Sequence, residues 1–450
     1  MQSDSSTTII RDLGDGLILR RVSKADAAAL AAFNARVHSD DGPDKPDKRL
    51  AAWTRDLIEK PHPTFDVGDF TVVEDTRRGE IVSSLNLIPQ VWSYAGIPFN
   101  VGRPELVGTA AEYRNRGLVR AQFDVIHQWS ADRGQKVQAI TGIPYYYRIF
   151  GYEMALDMGG GRIGYKPQVP QLAEGAQEPF QVRPAAEKDL AFIQEIYHKA
   201  SQRFLVRCVW DEALWRYEMI EKSEQNVNRR ELRVIHNKDG ERVGFLAHPA
   251  VVWGSNMIAV AYELAENVPW GAVTPSVVRY LYRTGEAYAA RENKSEKFAG
   301  FGFYTGIEHP VHQVLHNSLP KVQQPYAWYI RVPDLPDFIR HIGAALEERL
   351  AQSPYAGHSG ELKISFYRSG LRLAFEDGRL SGVEPWQPAP KAHSGDAAFP
   401  GLTFLQLLFG YRSFAELNYA FADCWWENDA AYGIIDVLFP KAASDVWSIS

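Results

Sequence analysis

Three arginines lie close together where the sequence changes from a strand pattern to a helical pattern. They are Arg114, Arg116 and Arg120, and the next acidic residue after them is Asp124. A helix N-terminus carries about half a positive charge and favours Asp or Glu in its first turn, so three cations there are unfavourable for a bare helix. They become favourable when an anion binds between the free backbone N–H groups and the guanidinium groups. The alternative, a solvated basic turn, stays open at this point.

Gly117 and the helix that follows it fit such an anion site. Without a Cβ atom, Gly117 lets a phosphate approach the backbone closely. The apolar residues after it recur at helical spacing, namely Leu118, Ala121, Val125, Ile126 and Trp129. The sequence therefore predicts a strand, a short turn and a helix whose N-terminus faces an anion.

A run of three tyrosines, 145–147, forms a second group of polar side chains. Pro144 suits the first position of a short helix and Gly151 suits its end. We therefore expect the tyrosines on one helical turn, beside the end of a strand at residues 137–140. Aromatic rings in such a turn often only pack against each other, so this pattern alone does not assign a role.

The elements that would position these residues occur twice along the chain. Residues 19–26 and 182–189 each predict a short strand, a polar turn and the start of an amphipathic helix. An alternating hairpin at residues 70–82 is matched by another at residues 232–243. Two strand–helix–hairpin units in the same order indicate a duplicated α+β domain.

The rest of the chain indicates three domains. Residues 159–179, rich in Gly and Pro, predict a linker after the first unit. Beyond residue 332, two strands and a helix with a Ser413–Glu416 capping box predict a separate α+β module. At about 150 residues per domain, 450 residues also correspond to three domains. We expect them at residues 1–165, 166–330 and 331–450.

Composition excludes several classes of protein. With 49 Lys and Arg against 55 Asp and Glu, the net charge of -6 argues against nucleic-acid or anionic-membrane binding. Two cysteines are too few for a disulfide framework or a cysteine-rich zinc site. The sequence has no secretory signal pattern and no apolar run near the roughly 18 residues that a membrane helix needs. We therefore expect a soluble cytoplasmic protein.

The arginine motif resembles a known family. Arg114-x-x-Gly117-x-Val119, opening a helix after a strand, is similar to the acetyl-CoA pyrophosphate loop of the GNAT superfamily of N-acetyltransferases, although Val119 replaces the usual small residue. The run Arg-x-Arg-Gly-Leu-x-Arg from Arg114 to Arg120 resembles the multidomain enhanced-intracellular-survival (Eis) type. That resemblance implies an α+β chain of tandem GNAT-type mixed sheets with flanking helices, followed by a sterol-carrier-protein-like α+β domain.

The resemblance also implies which residues bind the co-substrate, acetyl-CoA. Backbone N–H groups of Val107, Gly108 and Thr109 would hold the pantetheine arm. The pyrophosphate would bind to N–H groups of residues 115–120, that is Asn115, Arg116, Gly117, Leu118, Val119 and Arg120. Gly142 and Ile143, on the neighbouring strand end, would contact the pantetheine or adenine side.

The catalytic roles follow from the same resemblance. Tyr147, four residues before Gly151, would be the general acid that protonates the coenzyme A thiolate. The C-terminal carboxylate of Ser450 would be the base that deprotonates the acceptor amine, with Glu105 or Asp124 acting through a water as the alternatives. The acceptor would be a small-molecule or peptide amine, and the assembly a homo-oligomer, with a hexamer as one candidate.

Other interpretations remain at this stage. His309, His312 and His316 share a helix face, but no cysteine or HExxH motif accompanies them, so we expect no metal. A non-catalytic protein that binds a lipid or small molecule on the same scaffold is one alternative function. An acyltransferase that uses a longer acyl-CoA is another.

Overall fold

Strand–helix–hairpin units join into four sheets in the computed structural model, which describes residues 8–293, 295–389 and 394–447. The first segment contains, in chain order, β1 (Ile9–Gly14), β2 (Leu17–Arg21), α1 (Ala27–Val37), α2 (Lys48–Glu59), β3 (Phe70–Asp75), β4 (Glu80–Tyr94), β5 (Ile97–Thr109), α3 (Leu118–Asp132), β6 (Val137–Ile140), β7 (Glu153–Met158) and β8 (Gly161–Tyr165).

The second segment follows a related order with additional elements, and the third adds a smaller α+β unit. The second contains β9 (Gln181–Pro184), α4 (Leu190–Ser201), β10 (Val206–Cys208), α5 (Glu212–Arg216), β11 (Arg230–His236), β12 (Arg242–Pro249), β13 (Asn256–Ala259), β14 (Ala261–Leu264), α6 (Trp270–Arg291), β15 (Gly300–Phe303), α7 (Val311–Val314), β16 (Lys321–Gln323) and β17 (Tyr326–Arg331). The third contains α8 (Leu335–His341), α9 (Gly343–Ala351), β18 (Gly360–Ser365), β19 (Gly370–Glu376), β20 (Arg379–Trp386), β21 (Ala397–Ala398), α10 (Phe404–Leu408), α11 (Phe414–Ala420), β22 (Trp425–Trp426) and α12 (Asp429–Leu438).

The two α+β units carry the same ion pair at the same place. The Arg20 guanidinium donates to the Asp26 carboxylate at 2.8 Å, and the Arg183 guanidinium donates to Asp189 at 2.7 Å. Each carboxylate also accepts the backbone N–H three residues before it, at 2.8 and 2.9 Å. The β3–β4 and β11–β12 hairpins follow in both units. The predicted tandem mixed-sheet fold is therefore confirmed.

The first two segments exchange strands. The main sheet runs β1-β2-β3-β4-β5-β6-β17-β7, with β10 paired to β4, so β17 of the second segment lies between β6 and β7 of the first. In return β8 lies between β15 and β16. The division at residues 165 and 330 stays a prediction, and β17 contributes to the sheet of the first unit.

The prediction of a linker over residues 159–179 is wrong for β8. A Cβ on Gly161 would lie 1.9 Å from the Phe303 carbonyl oxygen, and one on Gly164 would lie 2.6 Å from the Ser318 carbonyl oxygen. These glycines therefore allow close approach of neighbouring backbone, which is the meaning of glycine inside a strand. Their clustering in the sequence reflects tight packing of β8.

An apolar core continues through all three segments. Trp92 of β4 packs edge-on against Trp328 of β17, with ring centroids 6.0 Å apart. Tyr94 contacts the rings of Phe338 and Phe409, and its hydroxyl donates to the carbonyl of Leu408 at 2.8 Å. The third segment is thereby fixed against the back of β4.

The third segment forms its own sheet in the order β20-β19-β18-β21-β22. The predicted capping box of α11 is confirmed, because the Ser413 hydroxyl accepts from the Glu416 N–H at 3.2 Å and the Glu416 carboxylate accepts from the Ser413 N–H at 2.8 Å. Among the described residues, no helix combines the length and the apolar composition that crossing a bilayer requires.

We predict that Gly161→Ala destabilises the exchanged strand by about 2 kcal/mol or more, because φ is +150° and the new Cβ would collide with the Phe303 carbonyl. Gly159→Ala is the matched control: its φ is +63° and no atom lies within 4 Å of the added Cβ, so it costs about 1 kcal/mol. Urea denaturation followed by tryptophan fluorescence compares the two. Equal destabilisation by both variants contradicts the packing of β8.

Candidate active site

Strands β5 and β6 part within the main sheet. Within the described residues their parallel ladder consists of Val101 with Val137 and Gly102 with Gln138. Beyond Gly102, β5 continues to Thr109, and the edge of β5 that faced β6 is no longer paired in this ladder. A register shift opposite Leu106, whose φ is +52°, bends β5 as a β-bulge does. The parting of the strands opens a cleft at their carboxyl ends.

The N-terminus of α3 opens at the same place. Gly117 has φ +77° and caps the helix, and the first turn holds no acidic residue, as predicted. Asn115 also has a positive φ, +61°, so two left-handed residues flank Arg116. Left-handed residues in a turn can direct neighbouring N–H groups toward one point, as in an anion-binding nest. The loop is therefore shaped for an anion.

The arginines of this loop have few acidic partners. Arg116 lies 3.6 Å from the exposed carboxylate of Asp15. The Arg120 guanidinium carbon stacks 5.2 Å above the centre of the Phe150 ring. Among the described residues, Arg114 and Arg120 form no salt bridge. Three guanidinium groups with one weak carboxylate partner make this helix end strongly positive.

A cleft of about 650 Å³ is lined by nearly all of the predicted cofactor residues. Its wall includes Val107, Gly108, Thr109, Asn115, Arg116, Gly117, Leu118, Val119, Arg120, Ile143 and Tyr147. Gly142 lies directly behind the wall, since a Cβ on it would be 3.1 Å from the Tyr147 hydroxyl oxygen. The prediction for Ser450 lies outside the described residues.

The tyrosine turn is shorter than the sequence predicts. The helix is a 3-10 helix that begins at Tyr146, two residues after Pro144, and it ends at Gly151 with φ +84°. The start at Pro144 was wrong because Tyr145 takes φ +70° and its N–H donates to the Tyr329 hydroxyl. Tyr145 is consequently 68% exposed, whereas Tyr147 is buried.

Tyr147 lies in an aromatic cluster at the base of the cleft. Its ring contacts those of Phe123, Tyr152 and Tyr329. Burial first, and the nearby Glu105 carboxylate second, raise the pKa of Tyr147 above its usual value of 10. The hydroxyl therefore holds its proton at neutral pH.

The structure separates the two alternative carboxylates. The Glu105 side chain is 13% exposed, forms an ion pair with Arg103, and is close enough to raise the pKa of Tyr147. The Asp124 side chain is 59% exposed and faces Arg11 at 3.7 Å on the outer side of α3. Of these two groups, Glu105 is the one beside the cleft.

Sequence reasoning missed the opposite wall, which comes from the end of α1. A Cβ on Gly108 would lie 2.7 Å from Val37 Cγ1 and 3.0 Å from His38 Nε2. Ser83 supports the same strand, because its hydroxyl donates to the Gly108 carbonyl at 2.9 Å. No local motif marks these residues, since their place depends on packing between α1 and the sheet.

We predict that His38 is neutral at pH 7. Burial lowers the pKa of His38 below its usual 6.5, and its Nε2 has no hydrogen-bond partner among the described residues. An NMR titration of the imidazole nitrogens, assigned with His38→Gln, measures the midpoint. A midpoint at or above 6.5 contradicts the burial of this ring against Gly108.

Comparisons with known proteins agree with this geometry. Residues 19–155 match the family described as "Acetyltransferase (GNAT) domain". No curated protein matches the sequence significantly. A GCN5-related N-acetyltransferase from Kribbella flavida is similar to the chain at 19% identity and a TM-score of 0.61, over 96% of this chain and 98% of that one.

Two further solved structures align over 96% of this chain and 100% of their own. The one from Enterococcus faecalis, titled a probable N-acyltransferase, is 12% identical with a TM-score of 0.64. The GCN5-related N-acetyltransferase from Anabaena variabilis is 13% identical with a TM-score of 0.62. Eis1 from Mycobacterium abscessus is also similar, at 13% identity and a TM-score of 0.57.

Because the sequence identities to these solved structures are low, the comparisons show similarity of fold alone. The likeness of residues 331–450 to a sterol carrier stays a prediction. Residues 19–155 match the GNAT acetyltransferase domain, and the chain as a whole shares the fold of these solved structures.

Proposed function

We propose that this protein transfers an acetyl group from acetyl-CoA to a primary amine. The observation that carries the proposal is the meeting of two features in one cleft: the open edge of β5 and the positive start of α3. A ligand that combines an amide-rich arm with a diphosphate, as coenzyme A does, matches both. The homo-oligomer stays a prediction from the resemblance, and the cytoplasmic location stays a prediction from the composition.

The chain's backbone binds and orients the co-substrate, which supplies an activated thioester. N–H and carbonyl groups of Val107, Gly108 and Thr109 at the strand edge form hydrogen bonds with the pantetheine amides. N–H groups of residues 115–120 hold the diphosphate at the helix N-terminus. The short turn at Gly142 and Ile143 closes the other side. The support is the pair of left-handed residues, Asn115 and Gly117, just before the helix N-terminus.

The reacting groups take their roles from burial and charge. The amine nitrogen attacks the thioester carbonyl carbon, and as the carbon–sulfur bond breaks, the Tyr147 hydroxyl gives its proton to the sulfur. Glu105, held by Arg103, accepts the amine proton through a water. The carboxylate of Ser450 stays the other candidate base. No covalent enzyme intermediate is needed.

A second candidate function rests on the third segment. A cavity of about 650 Å³ there has a mostly apolar wall that includes Val332, Leu335, Phe366, Phe404 and Leu405. Such a wall suits an apolar ligand, either alone or as the acyl chain of a longer acyl-CoA. Turnover measured with acyl-CoA donors of increasing chain length separates acetyl transfer from transfer of a longer acyl group. A preference for acetyl-CoA supports the first proposal.

We predict that Gly117→Glu weakens acetyl-CoA binding by at least about tenfold, because an added carboxylate repels the diphosphate at the helix N-terminus. Gly134→Glu is the matched control, since Gly134 lies just beyond the opposite end of α3, about 25 Å away. Both glycines have positive φ and no atom within 4 Å of an added Cβ. Calorimetry with acetyl-CoA measures the affinities. Equal affinities in the two variants contradict the diphosphate site.

We predict that Tyr147→Phe lowers kcat about 100-fold or more with little change in acetyl-CoA affinity, because the general acid is lost while the ring remains. Tyr145→Phe should keep full activity, since that side chain is exposed. Release of the coenzyme A thiol with a panel of primary amines measures turnover. Equal turnover in both variants removes Tyr147 from the mechanism.

A further inference from the structure

The second segment keeps the turn that closes the catalytic cleft in the first. In β6, Gln138 pairs with Gly102 of β5; in β15, Gly302 pairs with Ile258 of β13. Three residues later each strand leads into the same tripeptide, Thr141–Ile143 in the first segment and Thr305–Ile307 in the second. The glycine of each tripeptide has a positive φ, +150° and +84°.

A cavity of about 850 Å³ lies at this second turn. Its wall combines the turn itself with the end of α4, the residues between α10 and α11, and the chain at 441–446. All three segments contribute, because Asp157 at the end of β7 also faces the cavity. The equivalent place in the first segment is the cofactor cleft, so the second copy also has a cavity at the same position of its fold.

Several charged groups of this cavity neutralise each other. Lys441 and Glu416 form an ion pair at 2.6 Å, and Arg203 pairs with Glu263. His309 accepts the Val311 N–H at its Nδ1 atom and lies 2.9 Å from the Tyr262 carbonyl through its Nε2 atom. The Nε2 atom also lies 3.5 Å from the Glu263 carboxylate, so His309 joins the Arg203–Glu263 pair.

Two carboxylates remain without a partner. Asp157 and Asp445 face the cavity, and neither forms a hydrogen bond or an ion pair through its carboxylate among the described residues. Burial raises the pKa of both groups, that of Asp445 to about 6. Both residues are half-buried, and a partly desolvated carboxylate without a donor is unfavourable unless a cation or donor reaches it. A ligand in the cavity would supply those donors.

The remaining charges also favour a cation. Glu308 is a third carboxylate at the cavity wall. Arg412, whose charge acts on Asp157, forms no salt bridge among the described residues and stacks 4.0 Å above the Tyr411 ring. Three carboxylates against one guanidinium leave the cavity negative. Between them the wall is apolar, through Phe204, Ile307, Pro325 and Val446.

We propose that this cavity binds a short aliphatic amine with two ammonium groups, at a site separate from the cofactor cleft. The ammonium groups donate to Asp157 and Asp445, and the methylene chain packs on the apolar wall. Among the described residues, no group of three His, Cys, Asp or Glu side chains is placed to hold a metal ion, so an organic cation fits the site better.

The test is a calorimetric titration of the full chain with 1,5-diaminopentane at pH 8, where Asp445 is ionised. We expect binding to the wild type, no binding of pentane-1,5-diol, and at least about tenfold weaker diamine binding in Asp157→Asn and in Asp445→Asn. Glu376→Gln, which removes an exposed carboxylate outside the cavity, is the matched control and should bind as the wild type does.

Two results overturn the proposal: absence of diamine binding to the wild type, or wild-type affinity in the Asp157→Asn/Asp445→Asn double variant. The second result would place the diamine elsewhere, such as the acceptor side of the catalytic cleft. Thermal unfolding midpoints confirm that each variant is folded. A parallel acetyl-CoA titration keeps the two proposals apart, since its failure contradicts the proposed transferase and leaves the diamine result unaffected.

Discussion

The divergence of β5 from β6 is the constraint on which the rest of the site depends. Backbone N–H and carbonyl groups need partners, and a strand that leaves its neighbour within a sheet must find them elsewhere. Here the bulge at Leu106 turns β5 away after Gly102, so its last residues face the start of α3. An extended ligand with amide groups can complete that edge, and the positive helix start can hold its anionic end.

The second segment does more than repeat the first. Its strand β17 enters the main sheet, and two of its tyrosines hold the turn that carries Tyr147. The Tyr326 hydroxyl donates to the Gly142 carbonyl at 2.7 Å, and the Tyr329 hydroxyl accepts from the Tyr145 N–H. The turn that carries Tyr147 is therefore positioned by both segments.

The features that could be predicted from the sequence are those that depend on residues close together along the chain. The helix after Gly117 follows from apolar spacing, and its basic start follows from residues within one turn. The duplication follows from repeated short patterns, later matched by the Arg20–Asp26 and Arg183–Asp189 ion pairs.

The features that sequence reasoning missed depend on contacts between distant residues. Ile140 pairs with Tyr329, far along the chain, and no pattern within β6 identifies that partner. A glycine cluster is typical of loops, so the sequence predicts a linker at Gly161. The close approach of Phe303 on the neighbouring strand determines its actual role. The wall at His38 and the positive φ of Leu106 likewise have no local signal.

A crystal structure with coenzyme A tests the central claim most directly. The account predicts the diphosphate within hydrogen-bond distance of the backbone N–H groups between Asn115 and Arg120, with the pantetheine arm along Val107 to Thr109. Coenzyme A bound with its diphosphate at any other place, or a helix start occupied by solvent alone at saturating ligand, would contradict it.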